Sequence, residues 1–212
     1  MTKYFITIAG NIGVGKSTLV NLLSEQTGWE PVFEAVTENP YLEDFYKDMR
    51  RWSFQSQLFF LSRRLRQHYD LLNNQQSIIQ DRSVYEDAEI FARNLYNQGD
   101  MSDRDWACYY ELYETLVTLL KPPHLVIYLQ ASVPTLRNRI IQRGRDYEQN
   151  IEDTYLEKLN TLYDNWITNF TLSPVLTINT NHLNYVEYDE HLAIIWQKIQ
   201  ERLQGRDYLA LS

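Results

Sequence analysis

Gly10-Asn11-Ile12-Gly13-Val14-Gly15-Lys16-Ser17 reads G-x-x-x-x-G-K-S, and Thr18-Leu19-Val20 follows it. Glycines of this spacing let backbone N–H groups curl round phosphate oxygens, and a helix N-terminus adds partial positive charge. In such a loop Lys16 reaches the β- and γ-phosphates of a nucleoside triphosphate, and the Ser17 hydroxyl holds Mg²⁺. The pattern carries weight only between a strand and a helix. Tyr4–Ala9 is a β-rich apolar run, and Ser17–Gln26 repeats its apolar positions at helical spacing.

Phosphoryl transfer needs alignment and charge neutralisation more than covalent chemistry. It asks for a base on the attacking hydroxyl and for fixed cations. Glu34 ends the short run Glu30–Phe33 and is the candidate base; an exposed strand-end glutamate is the plain alternative. Asp81-Arg82 ends the run Ser77–Gln80. Asp81 could hold Mg²⁺ through water and Arg82 could grip the acceptor, against a local ion pair or a cap on the helix that starts near Ser83. Arg139, Arg143 and Arg145 are spaced R-x-x-x-R-x-R, with Gly144 marking a helix end. They are expected to form a lid, about residues 143–150, that closes on phosphates; a solvated basic face is the competing reading. His68, His124, His182 and His191 lack ligand spacing and read as structural or surface residues. Cys108 is expected to be buried and inert, and the aromatic stripe Trp106–Tyr113 to serve packing or a subunit interface.

These groups must be carried by strands and helices in alternation. Strands are expected at Tyr4–Ala9, Glu30–Phe33, Ser77–Gln80, Leu125–Leu129 and Pro174–Ile178. Helices are expected at Ser17–Gln26, Tyr41–Tyr46, from about Trp52 to Asn73, Val84–Tyr96, Asp103–Leu120, Val133–Gln142, Ile151–Phe170 and Tyr188–Leu203. The fold class that follows is α/β: a central parallel sheet of about five strands with helices on both faces. Right-handed crossovers then gather the strand-end groups at one edge.

The 212 residues suit one domain, taken as 1–212. A net charge of −8 argues against nucleic acid as partner. A single cysteine excludes a disulfide within the chain and fits a reducing compartment. No apolar run approaches a membrane span and no signal peptide precedes the first strand, so a cytoplasmic protein with no membrane partner is expected.

Together, Ile8–Gly13 with the loop, Arg51-Trp52-Ser53-Phe54, Leu61-Ser62-Arg63, Asp81-Arg82-Ser83-Val84-Tyr85, Ile127–Ala131 and Arg143-Gly144-Arg145 resemble the deoxyribonucleoside kinase family. The likeness runs from Tyr4 to about Trp166. Asn39-Pro40-Tyr41-Leu42 resembles the bacterial purine deoxynucleoside kinases in particular. The resemblance implies a P-loop kinase fold, a homodimer, and transfer of the γ-phosphoryl group of ATP or another triphosphate, with Mg²⁺, to a deoxynucleoside 5′-hydroxyl in nucleotide salvage. It implies Glu34 as base, Asp81 near magnesium, Arg82 beside the 5′ end, and Tyr46 with Glu148 on the 3′-hydroxyl. It further implies that Gln57 reads the base, that Arg63 and Asp87 contact it as a charged pair, and that Phe91 stacks on it. Arg63 with Asp87 would favour deoxyadenosine, deoxyguanosine or deoxycytidine over thymidine. Two glutamines flank Ser56, so Gln55 competes with Gln57 as base reader. Glu34-Ala35 stands where the family has Glu-Pro, and Asp81 where the animal enzymes have Glu. Thymidylate kinase-like enzymes share a phosphate loop, an Asp-Arg pair and a lid, and a non-catalytic relative is a further alternative. Lys16, Ser17, Glu34 and Arg82 are all present, which argues against lost catalysis.

Overall fold

The structure, a computed structural model, describes residues 3–33, 38–73, 75–145, 148–149 and 151–203. Glu34, and most of the segment between Arg145 and Ile151, lie outside the described residues.

Five parallel strands form one sheet in the order β2-β3-β1-β4-β5. They are β1 (Phe5–Gly10), β2 (Glu30–Val32), β3 (Ile78–Asp81), β4 (Leu125–Gln130) and β5 (Val175–Asn179). The central strands β1 and β3 are buried along their whole length. That follows from sequence: a parallel strand covered on both faces needs a near-continuous apolar run, and Phe5-Ile6-Thr7-Ile8-Ala9 supplies one. The register pairs Ile8 with Asp81 on one side and Gly10 with Leu129 on the other. The phosphate loop and Asp81 therefore emerge side by side.

Helices α1 (Lys16–Thr27), α7 (Val133–Arg143) and α9 (Asp189–Leu203) send Leu19, Leu23, Leu136, Ile140, Ile195 and Ile199 onto one face. On the other face lie α3 (Met49–Asn73), α4 (Val84–Glu86), a π-helical turn (Asp87–Ala92), α5 (Arg93–Asn97), α6 (Asp103–Val117) and α8 (Asp153–Asn169). Short α2 (Leu42–Lys47) packs beside α3. Gly28 ends α1 with a left-handed φ of 71°, the conformation a C-terminal glycine favours. Ser102 caps α6 by accepting the Asp105 N–H.

Two expectations change here. The segment expected as one helix from Val84 to Tyr96 contains the π-helical turn. Cys108 is exposed, not buried. Tyr109 and Tyr113 are the buried residues of α6, and Trp106 stacks on Tyr96 with ring centroids 5.0 Å apart. One residue back from Tyr109, the thiol is turned about 100° away round the helix, toward solvent. The aromatic stripe is thus used in packing.

Candidate active site

The phosphate loop is tied from several sides. Asn11 Oδ1 accepts the Ile12 N–H at 2.7 Å, while Asn11 Nδ2 donates to the Leu156 carbonyl at 2.9 Å and to Asn160 at 2.8 Å. Gly13 lies against α7: a Cβ there would come within 2.7 Å of Ile140. Gly15 has φ 107°, and a Cβ would meet the Tyr185 hydroxyl at 2.2 Å. That hydroxyl donates to the Gly15 carbonyl at 3.1 Å. Helix α1 starts at Gly15 with no side-chain cap, so its first-turn N–H groups are left to a ligand. Lys16 is buried and donates to the Gly10 and Asn11 carbonyls at 2.8 and 3.0 Å.

Beside the loop, the Ser17 hydroxyl donates to Asp81 Oδ2. Asp81 Oδ1 is buried and has no hydrogen-bond partner among the described residues. A carboxylate oxygen left open next to a loop serine is what a hydrated magnesium ion requires, because Mg²⁺ keeps several waters and takes one or two carboxylates plus phosphate oxygens. No group of three or more Asp, Glu, His or Cys residues able to hold a metal occurs among the described residues. A shared site of this kind needs none.

Arg82 carries φ 66°, a left-handed conformation costly for a side chain of this size. Its guanidinium lies over the Phe91 ring, 4.1 Å from the centroid. Asp87 and Phe91 both come from the π-helical turn, and such turns recur at functional sites.

These groups open on one cavity of about 400 Å³, within the usual range of small-molecule sites. Lys16, Ser17, Asp81 and Arg82 line it together with Tyr46, Gln57, Asp87, Phe91, Arg143, Arg145 and Glu148. Gln57 is in its wall and Gln55 is not. Glu148 is buried and gripped by two arginines, by Arg143 at Oε2 and by Arg145 at 3.2 Å on Oε1. Phe33, at the end of the segment that follows β2, is also in the cavity wall.

Two expected placements are corrected. Arg63 does not pair with Asp87. It lies 3.4 Å from Glu38, largely in solvent. The partner of Asp87 is Arg64, whose Nε is 3.2 Å from Asp87 Oδ2 and whose Nη1 donates to the Asp81 carbonyl at 3.1 Å. Gln57 and Arg64 are seven residues apart, two helical turns, so they share the inner side of α3; Arg63 is rotated off it. Arg139, expected on phosphates, instead braces the loop from outside the cavity wall. It donates to the Val14 carbonyl at 2.9 Å and to the Thr180 carbonyl at 2.7 Å.

Tyr155 was not foreseen. It lines the cavity, and burial pushes its hydroxyl up to about 12. Its distance of seven residues from Glu148 is the only sequence signal, and an intervening loop obscures it. Phe60 was also missed, although it stands three residues after Gln57 on the same helix side.

A five-stranded parallel sheet with this loop on its central strand defines a P-loop kinase fold. The chain matches the family model described as deoxynucleoside kinase over residues 6–204, and it belongs to that family. It is 42% identical over 175 residues to a deoxyadenosine/deoxycytidine kinase of Bacillus subtilis (strain 168), covering 82% of this chain and 81% of that one. It is 39% identical over 167 residues to a deoxyguanosine kinase of the same strain, covering 77% and 78%. Among solved structures, deoxyadenosine kinase from M. mycoides with bound dATP superposes with a TM-score of 0.81 at 32% identity, covering 93% of this chain and all of that one.

Proposed function

We propose that this enzyme transfers the γ-phosphoryl group of ATP to the 5′-hydroxyl of a deoxynucleoside, a purine deoxynucleoside or deoxycytidine, in nucleotide salvage. One observation carries the reading: residues suited to a triphosphate and residues suited to a nucleoside base line the same 400 Å³ cavity. The relatives named above, which act on deoxyadenosine, deoxycytidine and deoxyguanosine, support the substrate class.

The loop from Gly10 to Thr18 cradles the donor phosphates, and Lys16 leaves its loop carbonyls for them. Ser17 and Asp81 would hold Mg²⁺, which would supply charge neutralisation for the donor phosphates. Glu34 takes the proton of the 5′-hydroxyl. Arg82, Arg143 and Arg145 balance charge on the moving phosphoryl group. Tyr46 and Glu148 hold the 3′-hydroxyl, Gln57 and Asp87 read the base, and Phe91 stacks on it. The side-chain amide of Gln57 can donate and accept on one base edge. The buried Arg64 fixes the carboxylate of Asp87 in place.

No helix among the described residues is long and apolar enough to cross a membrane, in keeping with a cytoplasmic enzyme acting on small molecules. A homodimer is implied by the family resemblance.

The test is phosphorylation of the four deoxynucleosides with ATP, with thymidine monophosphate as control. Turnover should be greatest with one of deoxyadenosine, deoxyguanosine and deoxycytidine, and should disappear when EDTA removes Mg²⁺. Glu34→Gln should keep ATP binding and lose about 100-fold or more in kcat. Phosphorylation of thymidine monophosphate alone would transfer the chain to the monophosphate kinases.

A further inference from the structure

One buried acid has no part in the mechanism above. Glu86 is fully enclosed. Its Oε1 accepts the Gly10 backbone N–H at 3.2 Å and the Tyr163 hydroxyl at 2.8 Å. Its Oε2 accepts the Ser83 backbone N–H at 2.8 Å and the Ser83 hydroxyl at 3.2 Å. The Oε2 half is a capping box, which any helix start of this kind can use. The Oε1 half is not explained by capping. Gly10 is 76 residues away and is the first residue of the phosphate loop.

Both ends of this tie are in uncommon backbone conformations. Gly10 has φ 145° and Arg82, next to Ser83, has φ 66°. A non-glycine residue held at positive φ is strained and persists only where its surroundings enforce it. Arg82 is enforced from both sides: its N–H donates to the Ile8 carbonyl at 3.0 Å, and Ser83 is held by Glu86. Four donors converge on one side chain, and only a carboxylate can accept from all of them without presenting a donor of its own. Burial pushes the Glu86 carboxyl up, while the charges of Arg82 and Lys16 and its hydrogen bonds act in the opposite direction. The acid thus feels the charge of both Arg82 and Lys16.

We propose that Glu86 is a positioning residue for phosphoryl transfer: it locks the start of the phosphate loop to the strand end that presents Asp81 and Arg82, and so sets the distance between donor phosphates and their metal-binding and charge-balancing partners. The assignment rests on the kinase reading above. It differs from plain structural support in what it leaves alone. The wall that binds the nucleoside, with Gln57, Asp87 and Phe91, is not attached to Glu86 by any of these four bonds.

The experiment compares the full-length protein with Glu86→Gln and Tyr163→Phe, each assayed well below its own melting temperature. Glu86→Gln keeps the size but sets an NH₂ against one of two backbone N–H groups, Gly10 or Ser83, so in either orientation the link between the loop and the strand end loses one of its ends. Its kcat should fall about 10- to 100-fold, the cost of a misplacement of an ångström or less, with the deoxynucleoside KM changed less than about threefold. Tyr163→Phe leaves the carboxylate on Gly10 and should keep kcat within about threefold. A second measurement needs no acceptor: calorimetric titration with ATP, with and without Mg²⁺. The gain in ATP affinity on adding Mg²⁺ should shrink about tenfold or more in Glu86→Gln relative to the parent, since the loop and Asp81 no longer hold their spacing. An unchanged kcat, an unchanged magnesium gain, or an equal loss in Tyr163→Phe overturns the assignment. A parent that phosphorylates no deoxynucleoside refutes the kinase reading instead, and the titration then decides Glu86 alone.

Discussion

Arg64 and Asp87 expose only 2% and 3% of their side chains, whereas Arg63 and Glu38 expose 43% and 58%. The two pairs therefore differ in energy although the arginines are neighbours. Removing one member of a buried pair strands the other charge and costs about 3–5 kcal/mol, while an exposed pair contributes about 0–1 kcal/mol. Asp87→Ala should lower stability by about 3 kcal/mol or more in a urea melt, and Arg63→Ala by less than about 1 kcal/mol. The same pair of variants should separate in activity, with deoxynucleoside kcat/KM falling steeply for Asp87→Ala and staying near parent for Arg63→Ala. The opposite ranking in the melts would return the role to Arg63. The swap also explains the misreading. Leu-Ser-Arg offered Arg63 as the match, and only the side of the helix separates one arginine from the next.

At the scale of elements, α3 shows what composition hides. Its buried positions include Ser53, Ser56, Gln57, Leu61, Arg64, His68 and Leu71, a helical stripe that is mostly polar. Of Phe54, Leu58, Leu61 and Leu65, the apolar residues that follow a helical period there, only Leu61 is buried. The helix was legible from its period, but its inner side was not, because polar groups with buried partners, Ser53 on the Asp100 carbonyl and Arg64 on Asp87, lie where hydrophobic residues normally would. The strands were legible to within a residue or two, since β-rich runs bounded by breakers leave few alternatives. The π-helical turn had no sequence signal, and Glu34, the proposed base, lies outside the described residues. His68 gives α3 a testable acid sensitivity. Its Nε2 is buried with no hydrogen-bond partner among the described residues, its ring meets Phe5 edge-on at 5.3 Å, and burial holds its pKa below the ordinary 6.5. Below that value the unfolded chain binds a proton that the folded chain refuses. Stability present above pH 6.5 is then lost as pH falls toward the lower folded value. Thermal melting from about pH 7.5 to about pH 5.5 should show a smaller drop for His68→Gln than for the parent. Equal drops would remove His68 as a source.

Over the whole molecule, parts distant in sequence converge on eight residues. Asn11 is held by α8, the Val14 carbonyl by Arg139 of α7, the Gly15 carbonyl by Tyr185, and the Gly10 N–H by Glu86. The donor site is therefore built by nearly the full length of the chain, and truncation on either side of the sheet would loosen it. Assembly is a separate matter. Sedimentation should give twice the 25.3 kDa chain mass, and a monomer would refute the dimer. Packing of Trp106, Tyr109 and Tyr113 inward leaves Cys108 and Leu112 on the outer side of α6.

The chain's lone thiol is therefore a ready handle for chemistry from outside. A maleimide fluorophore will attach at one point per polypeptide, on a helix that contributes nothing to the cavity wall. Followed over a dilution series, its rate of attachment reports whether α6 is covered by a second copy: slow tagging when concentrated and fast when dilute means covered, and a constant rate in a sedimenting dimer moves the contact to another face.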